Sequence, residues 1–296
     1  MYKRKFTVGT IFDIANHILM FILCLLCVLP VIHVINCSFS DPKELLQNNS
    51  ILIRPLGFTT LGYSLIFKNN SILNGYVNTL IYLVTGTLLS TCLTIMGAFV
   101  LSRKNLYWGK LIMFLITFTM FFSGGLIPFY LVVNNLGLMD TRLAVILPTA
   151  LNTFNLIIMR TAMNEIPAGL EESAMIDGAS PFVIMTRIIV PLCKASIAVI
   201  VLFYGVGIWN SWFNASMFIR NRKLYPLQLV LKEILVSNDT SAVLNSSADQ
   251  TGKSMDIYKP LVKYCTIVAA TLPVLCFYPF VQKYFVTGMM IGSLKG

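Results

Sequence analysis

Charged side chains are scarce in this chain and unevenly placed. Asp, Glu, Lys and Arg make up 11% of its 296 residues, against about a quarter in an ordinary globular domain. None occurs in the stretches 14–40, 69–102, 111–139, 143–159, 195–219 or 264–282. Gaps of that length exclude a water-soluble fold, because a helix of roughly 20 apolar residues crosses the hydrocarbon of a bilayer. Five of the windows are long enough as they stand. The sixth, 143–159, becomes so when carried on to about Met163, since Arg160 can snorkel to the headgroups. Histidine is rarer still: His17 and His33 sit near opposite ends of the first window. With no carboxylate inside a span, a proton or sodium pathway is not expected, and a lone histidine at a helix end reads as interfacial or locally satisfied. No G-x-x-x-x-G-K-[ST] motif exists. Its nearest imitation, Gly252-Lys253-Ser254, has Ser247 where the first glycine belongs and lacks a preceding apolar strand, so this chain is not an ATPase. Hydrolytic chemistry is excluded on similar grounds: Glu171 and Glu172 are neighbours whose side chains diverge on a helix, and no His or Cys constellation accompanies them.

What the chain has in abundance is apolar surface, with 56% hydrophobic residues and a mean hydropathy of +0.77. It is read as an all-α integral membrane protein, because no barrel-like alternation appears and backbone groups in lipid must be satisfied within each segment. The net charge of +10 comes from Lys and Arg scattered among short connections without aromatic interleaving, which fits anionic lipid headgroups and not nucleic acid. The seven cysteines lie mostly in the apolar windows as small hydrophobes, and Cys24-Leu25-Leu26-Cys27 has no second pair to build a metal site. The first window is too long for a cleaved signal and no A-x-A-like site follows it.

Six spans are expected, at about 14–35, 77–101, 111–133, 143–162, 195–219 and 264–286. They are flanked by tails 1–13 and 287–296 and joined by an outer loop 36–76, a segment 163–194 and a long outer loop 220–263. Lys3, Arg4 and Lys5 together with Arg103, Lys104 and Lys110 place the N-terminus and the second connection inside by the positive-inside rule. Both termini and 163–194 then face the cytoplasm, although 220–263 carries further basic residues outside. Thr85, Gly86, Thr87, Ser90, Thr91, Gly97 and Ala98 suit close helix contact in the second span, and Pro30, Pro128, Pro148, Pro273 and Pro279 are expected to bend theirs.

The segment 163–194 is unlike the rest. It holds Glu171, Glu172 and Asp177 and is broken by Gly178, Pro181 and Pro191. Pro167 is placed to open a short helix, Gly178 to stop it in a left-handed turn, and Ser180-Pro181 to cap and start a second. A helix of about three turns is too short to stand alone in water, so it must dock on something.

Glu172-Ser173-Ala174, three residues, Gly178, nine residues, Ile188, one residue, then Val190-Pro191 resembles the EAA signature of permease subunits of binding-protein-dependent ABC importers. The family pattern has Ala and Leu where this chain has Ser173 and Val190. Stretches 127–148, 154–180, 209–215 and 224–231 are similar to maltose-type carbohydrate-uptake permeases, especially those for complex oligosaccharides. The resemblance implies a six-helix type I importer bundle in a bacterial cell membrane, non-catalytic itself and binding no cofactor, with ATP and Mg on partner subunits. It implies a second homologous permease subunit, two ATPase subunits and an extracytoplasmic solute-binding protein as partners. The segment would be a coupling helix in a groove of the ATPase: Glu172 offering a carboxylate, Ala174 and Ala179 allowing close approach, Gly178 making the corner, Asp177 capping it or pairing across the interface, and Pro191 closing the signature.

A neutral sugar calls for polar and aromatic groups at membrane depth. Trp209 and Trp212 are three apart and Asn210 and Asn214 four apart in the fifth expected span, while Asn152 and Asn155 are three apart in the fourth. Amides are costly in lipid without partners, which points to a cavity lining or helix-to-helix bonds. The two tryptophans equally suit an aromatic belt near the span's end. A single-chain secondary transporter would be expected to show internal repeats and an intramembrane charge, and a membrane enzyme a cluster of His or carboxylates at the interface. Neither pattern is found.

Overall fold

The computed structural model describes residues 8–48, 50–103, 105–236 and 255–293, and these are helical or connecting, with no strand among them. In chain order the helices are α1 (Val8–Ser38), α2 (Pro42–Gln47), α3 (Leu61–Phe67), α4 (Asn70–Leu101), α5 (Gly109–Phe121), α6 (Leu126–Asn135), α7 (Leu143–Ile146), α8 (Thr153–Asn164), α9 (Ala168–Ile176), α10 (Pro181–Ile184), α11 (Val190–Leu192), α12 (Lys194–Trp209), α13 (Phe213–Phe218), α14 (Leu227–Val236) and α15 (Met255–Ser293). The loop residues 237–254, with the Gly252-Lys253-Ser254 stretch, and the extreme tails lie outside the described residues.

The six expected spans are not six straight rods. Three helical stretches, Phe12–Ser38, Asn70–Leu101 and Ile257–Cys276, are long and apolar enough to cross unbroken. Three further pairs qualify only as bent units: α5 with α6 at 114°, Leu143–Thr149 with α8 at 49°, and Pro181–Leu192 with α12 at 86°. The causes are local. Gly125 between α5 and α6 takes φ +85°, a region that L side chains rarely adopt. Pro148 sits in a 3-10 turn, Leu147–Thr149, just before α8. Pro191 has no N–H to donate, and it follows a π-helical turn, Met185–Ile189, that ends two residues earlier. Pro128, expected to bend a span, instead lies in the first turn of α6, where a missing N–H costs nothing.

The chain forms two compact units, the first of residues 1–70 with 233–272, the second of 71–232 with 273–296. In the first, α1 is apolar all round and none of its spanning window is buried, as expected of a helix bathed in lipid. Its far end is tied down by residues of the expected outer loop 36–76. His33 Nδ1 accepts from Leu52 N at 3.0 Å, Asn36 Nδ2 donates to the Leu52 carbonyl, and Ser40 Oγ accepts from Leu56 N. His33 is thereby a structural acceptor. Cys265 Sγ of α15 donates to the Ser38 carbonyl at 3.1 Å.

In the second unit, α4 is the hub. Its buried face runs through Ile72, Asn78, Thr79, Tyr82, Gly86, Ser90, Thr91, Thr94 and Ala98 at helical spacing. The N-terminal half of that face holds residues 219–230, so the first part of the expected outer loop is packed structure: Leu227 and Leu229 are buried, Asn78 Nδ2 donates to the Lys223 carbonyl at 2.7 Å, and Leu227 N donates to Thr79 Oγ1 at 2.8 Å. The C-terminal half packs with Leu156, Met159, Ile189, Cys193, Ile200 and Tyr204 in one apolar cluster.

Close approach of α3 to α15 depends on Gly62, where a Cβ would lie 2.5 Å from Cys265 Sγ and 2.8 Å from Leu261 Cγ. Gly62→Val should therefore lower stability by about 1–3 kcal/mol through overpacking, read as a drop in melting temperature of the purified protein. Adding Cys265→Ala should restore part of the loss.

Candidate functional site

The segment after α8 folds into a hard corner built from its own sequence. Pro167 does not occupy the first helical position as expected but is the N-cap of α9, with ψ 128°. At the other end, Gly178 N donates to the Met175 carbonyl at 3.0 Å and Ala179 N to the Ala174 carbonyl at 2.9 Å, and Gly178 holds φ +79°. This pair of bonds is the Schellman termination, which needs a residue tolerant of positive φ. Ser180 Oγ then accepts from Val183 N with Pro181 at the start of α10, so one helix ends and the next begins within four residues.

Two positions differ from their expected roles. Ala174 is buried, and Ala179 packs beside it in the chain's own cluster with Met163 and Ile184, which is the apolar contact that accompanies a Schellman turn. Their small size serves the corner itself. The outward face instead carries the exposed carboxylates Glu172 and Asp177 and the apolar side chains Met175, Ile176 and Phe182, Ile176 being 86% exposed. Pro191 is exposed at the base of the second helical stretch.

Sequence reading passed over the pair that fastens this corner. Arg103, just beyond α4, forms an ion pair with Glu171 of α9, while its Nε donates to the Phe99 carbonyl at 3.1 Å and its guanidinium lies 4.1 Å from the Phe99 ring centre. Burial pulls the Arg103 pKa below the usual arginine value, yet a guanidinium stays charged in proteins. Arg160 of α8 donates from Nε to the Leu101 carbonyl at 2.8 Å, satisfying one orphan group at the α4 terminus. The divergence of Glu171 from Glu172 was legible. The partner was not, because Arg103 lies 68 positions away by the numbering.

The second group of candidates is less unified than its spacing suggested. Asn152 precedes α8 as its N-cap, with Oδ1 accepting from Asn155 N at 3.1 Å, and is exposed, whereas Asn155 is buried. Trp209 and Trp212 do not share a helix: α12 stops at Trp209, Asn210 caps it with Nδ2 on the Val206 carbonyl, and Trp212 is the N-cap of α13. Trp212 instead lies under Lys232, whose Nζ is 3.6 Å from the ring centre. Trp209 is buried and its Nε1 has no hydrogen-bond partner among the described residues. Thr94, Tyr204 and the Asn152 backbone form a chain the sequence reading missed: Thr94 Oγ1 and Tyr204 OH are 2.7 Å apart, and Tyr204 OH accepts from Asn152 N at 3.0 Å. Thr87 and Thr91 on the same helix have buried hydroxyls without partners among the described residues. No group of His, Cys, Asp and Glu able to hold a metal occurs among the described residues.

No family model matches the chain. It is 40% identical over 286 residues, 97% of its length and 99% of the relative's, to the polygalacturonan/rhamnogalacturonan transport system permease protein YtcP of Bacillus subtilis (strain 168). It is also 40% identical over 291 residues, 97% of its length and 96% of the relative's, to protein LplC of the same organism. Among solved structures, it is similar to a chain of a bacterial ABC transporter involved in the import of the acidic polysaccharide alginate. That likeness has a TM-score of 0.86 and 30% identity and covers 96% of this chain and all of that one.

At Gly178, substitution by Val should cost about 1–2 kcal/mol at positive φ and Asn distinctly less, a ranking readable from melting temperatures. Arg103→Gln and Glu171→Gln should each destabilise, with the double variant no worse than the poorer single. The coupling expected from a partly buried pair is about 1 kcal/mol.

Proposed function

Because the chain belongs to the family of permease proteins of ABC-type sugar importers, we propose that its 167–181 corner couples it to an ATPase carried on another chain. The observation that carries this reading is the corner itself: a rigid turn whose Glu172, Asp177, Ile176 and Phe182 face outward while Ala174 and Glu171 anchor it inward. A small exposed apolar patch edged by carboxylates is the surface expected at a subunit contact. Movement imposed on α9 would pass through the Glu171–Arg103 pair to α4 and through the 174–179 contact to the inner cluster.

The same reading supplies the assembly. This permease is a multi-pass membrane protein that pairs with a second, homologous permease, so that each contributes half of a translocation pathway. Two ATPase subunits bind and hydrolyse ATP with Mg, and an extracytoplasmic binding protein delivers the solute. Termini and corner face the cytoplasm. The solute is an oligosaccharide, and the relatives named for polygalacturonan and alginate favour one containing uronic acids. Trp209 Nε1, buried and unpartnered among the described residues, supports a place for that residue on a pathway that opens at the break after α12, since an indole N–H donor left without a partner costs roughly 1–3 kcal/mol and a sugar hydroxyl or carboxylate reaching it there would satisfy it.

Affinity purification of the membrane complex from cells carrying wild type or Glu172→Ala with Gly178→Asp tests the coupling. Wild type should bring down an ATPase and a second permease, and the variant should lose the ATPase while keeping the permease. Identical recovery of the ATPase by both would remove the corner as its docking site. Trp209→Phe should lower uptake several-fold with the complex intact, and unchanged uptake would remove that residue from the pathway.

A further inference from the structure

Beside the corner lies a groove of about 780 Å³ that none of the roles above uses. It opens between the end of α4, the start of α5 and α8, and its lining includes Arg103, Lys110, Arg160, Trp108, Met113 and Phe114. Its place in the fold is informative. Leu101 ends one membrane-crossing helix and Gly109 begins the next segment of apolar chain, so the groove sits where headgroups meet hydrocarbon. Trp108 and its neighbour Tyr107 are 68% and 85% exposed, as amphipathic rings at that level are.

The charges in the groove are unequal. Arg103 is engaged with Glu171 and the Phe99 carbonyl, and the lining holds no carboxylate among the described residues. Arg160 commits Nε to the Leu101 carbonyl, which leaves the two terminal nitrogens of its fork, and Lys110 is exposed. Arg160 and Lys110 share the lining with Met113 and Phe114 of α5, so the groove offers cationic groups and an apolar wall together. A free phosphate would meet only the cations, whereas a phospholipid with a net negative headgroup meets both. A zwitterionic lipid brings its own ammonium group and gains little from the two cations.

We propose that this groove binds the headgroup of an anionic phospholipid, its phosphate on Arg160 and Lys110 and its upper acyl chain along Met113 and Phe114. Each Lys or Arg near the membrane surface contributes enough that two together enrich an anionic lipid roughly 25-fold, and one alone about fivefold. The bound lipid would rest against Arg103, the residue that also holds Glu171 of the corner, which places membrane composition in contact with that ion pair.

Tryptophan quenching by brominated lipids reads this directly. The intact importer is placed in phosphatidylcholine nanodiscs in which about a tenth of the lipid is brominated phosphatidylglycerol or brominated phosphatidylcholine, and the Trp108→Phe variant isolates the Trp108 signal. Quenching by the anionic lipid should exceed that by the zwitterionic one by an amount corresponding to roughly 25-fold enrichment. Lys110→Gln, which leaves the Arg160 bond to Leu101 untouched, should lose about fivefold of this, Lys110→Gln with Arg160→Gln nearly all, and Arg160→Lys little. Equal quenching by the two lipids, an excess that survives loss of both cations, or an excess abolished by inorganic phosphate but not by chloride at equal ionic strength would each overturn the proposal.

Discussion

Inside hydrocarbon a backbone N–H or C=O has no water to bond, so every departure from a continuous helix must find its partner within the protein. The architecture follows from how each break is satisfied. Where α8 begins, Asn152 Oδ1 takes one amide and Tyr204 OH takes the Asn152 amide itself. Where α4 ends, Arg160 takes the Leu101 carbonyl. At the other end of α4, Asp140 Oδ1 accepts from both Arg220 and Asn221 amides, at 3.0 and 2.8 Å, and Tyr82 OH donates to the Leu224 carbonyl at 2.7 Å. These polar side chains are committed to the backbone where the helical segments start and stop.

The corner, too, is held by bonds and contacts within the protein. A short helix outside the bilayer would fray in water. Here both of its ends are closed by backbone bonds, its inner side is buried against the apolar cluster around Met159 and Ile189, and Glu171 ties it to the end of α4. The residues that face outward are thereby relieved of any structural duty. Signature residues consequently divide into two kinds: Ala174, Gly178 and Ala179 shape the corner, and Glu172 and Asp177 present its surface.

Reading the chain from its pattern alone worked where the physics is local. Windows without charge marked membrane-crossing chain, Ser180-Pro181 and Gly178 marked a stop and a start, and the absence of a phosphate-binding motif separated this permease from its energy source. The same reading misjudged the length of straight helix. A bend such as that between α5 and α6 depends on one glycine dihedral, and the break after Trp209 shows no proline at all. It named 36–76 and 220–263 only as outer loops, because the backbone partners of Asn36, Ser40 and Asn78 cannot be read from the sequence.

Membrane character, the all-helical class, the family signature and the corner's turn were therefore determined by sequence, since each rests on composition or on contacts within a few residues. Pairing across distance was decided only by the tertiary structure. Arg103 meets Glu171, Thr94 meets Tyr204 and Asp140 meets the 220–221 amides because helices pack side by side, and residues brought together that way carry no common mark along the chain. Trp209 is the clearest case: its type and spacing suggested a paired aromatic site, whereas the fold separates it from Trp212 and buries its indole N–H without a partner among the described residues.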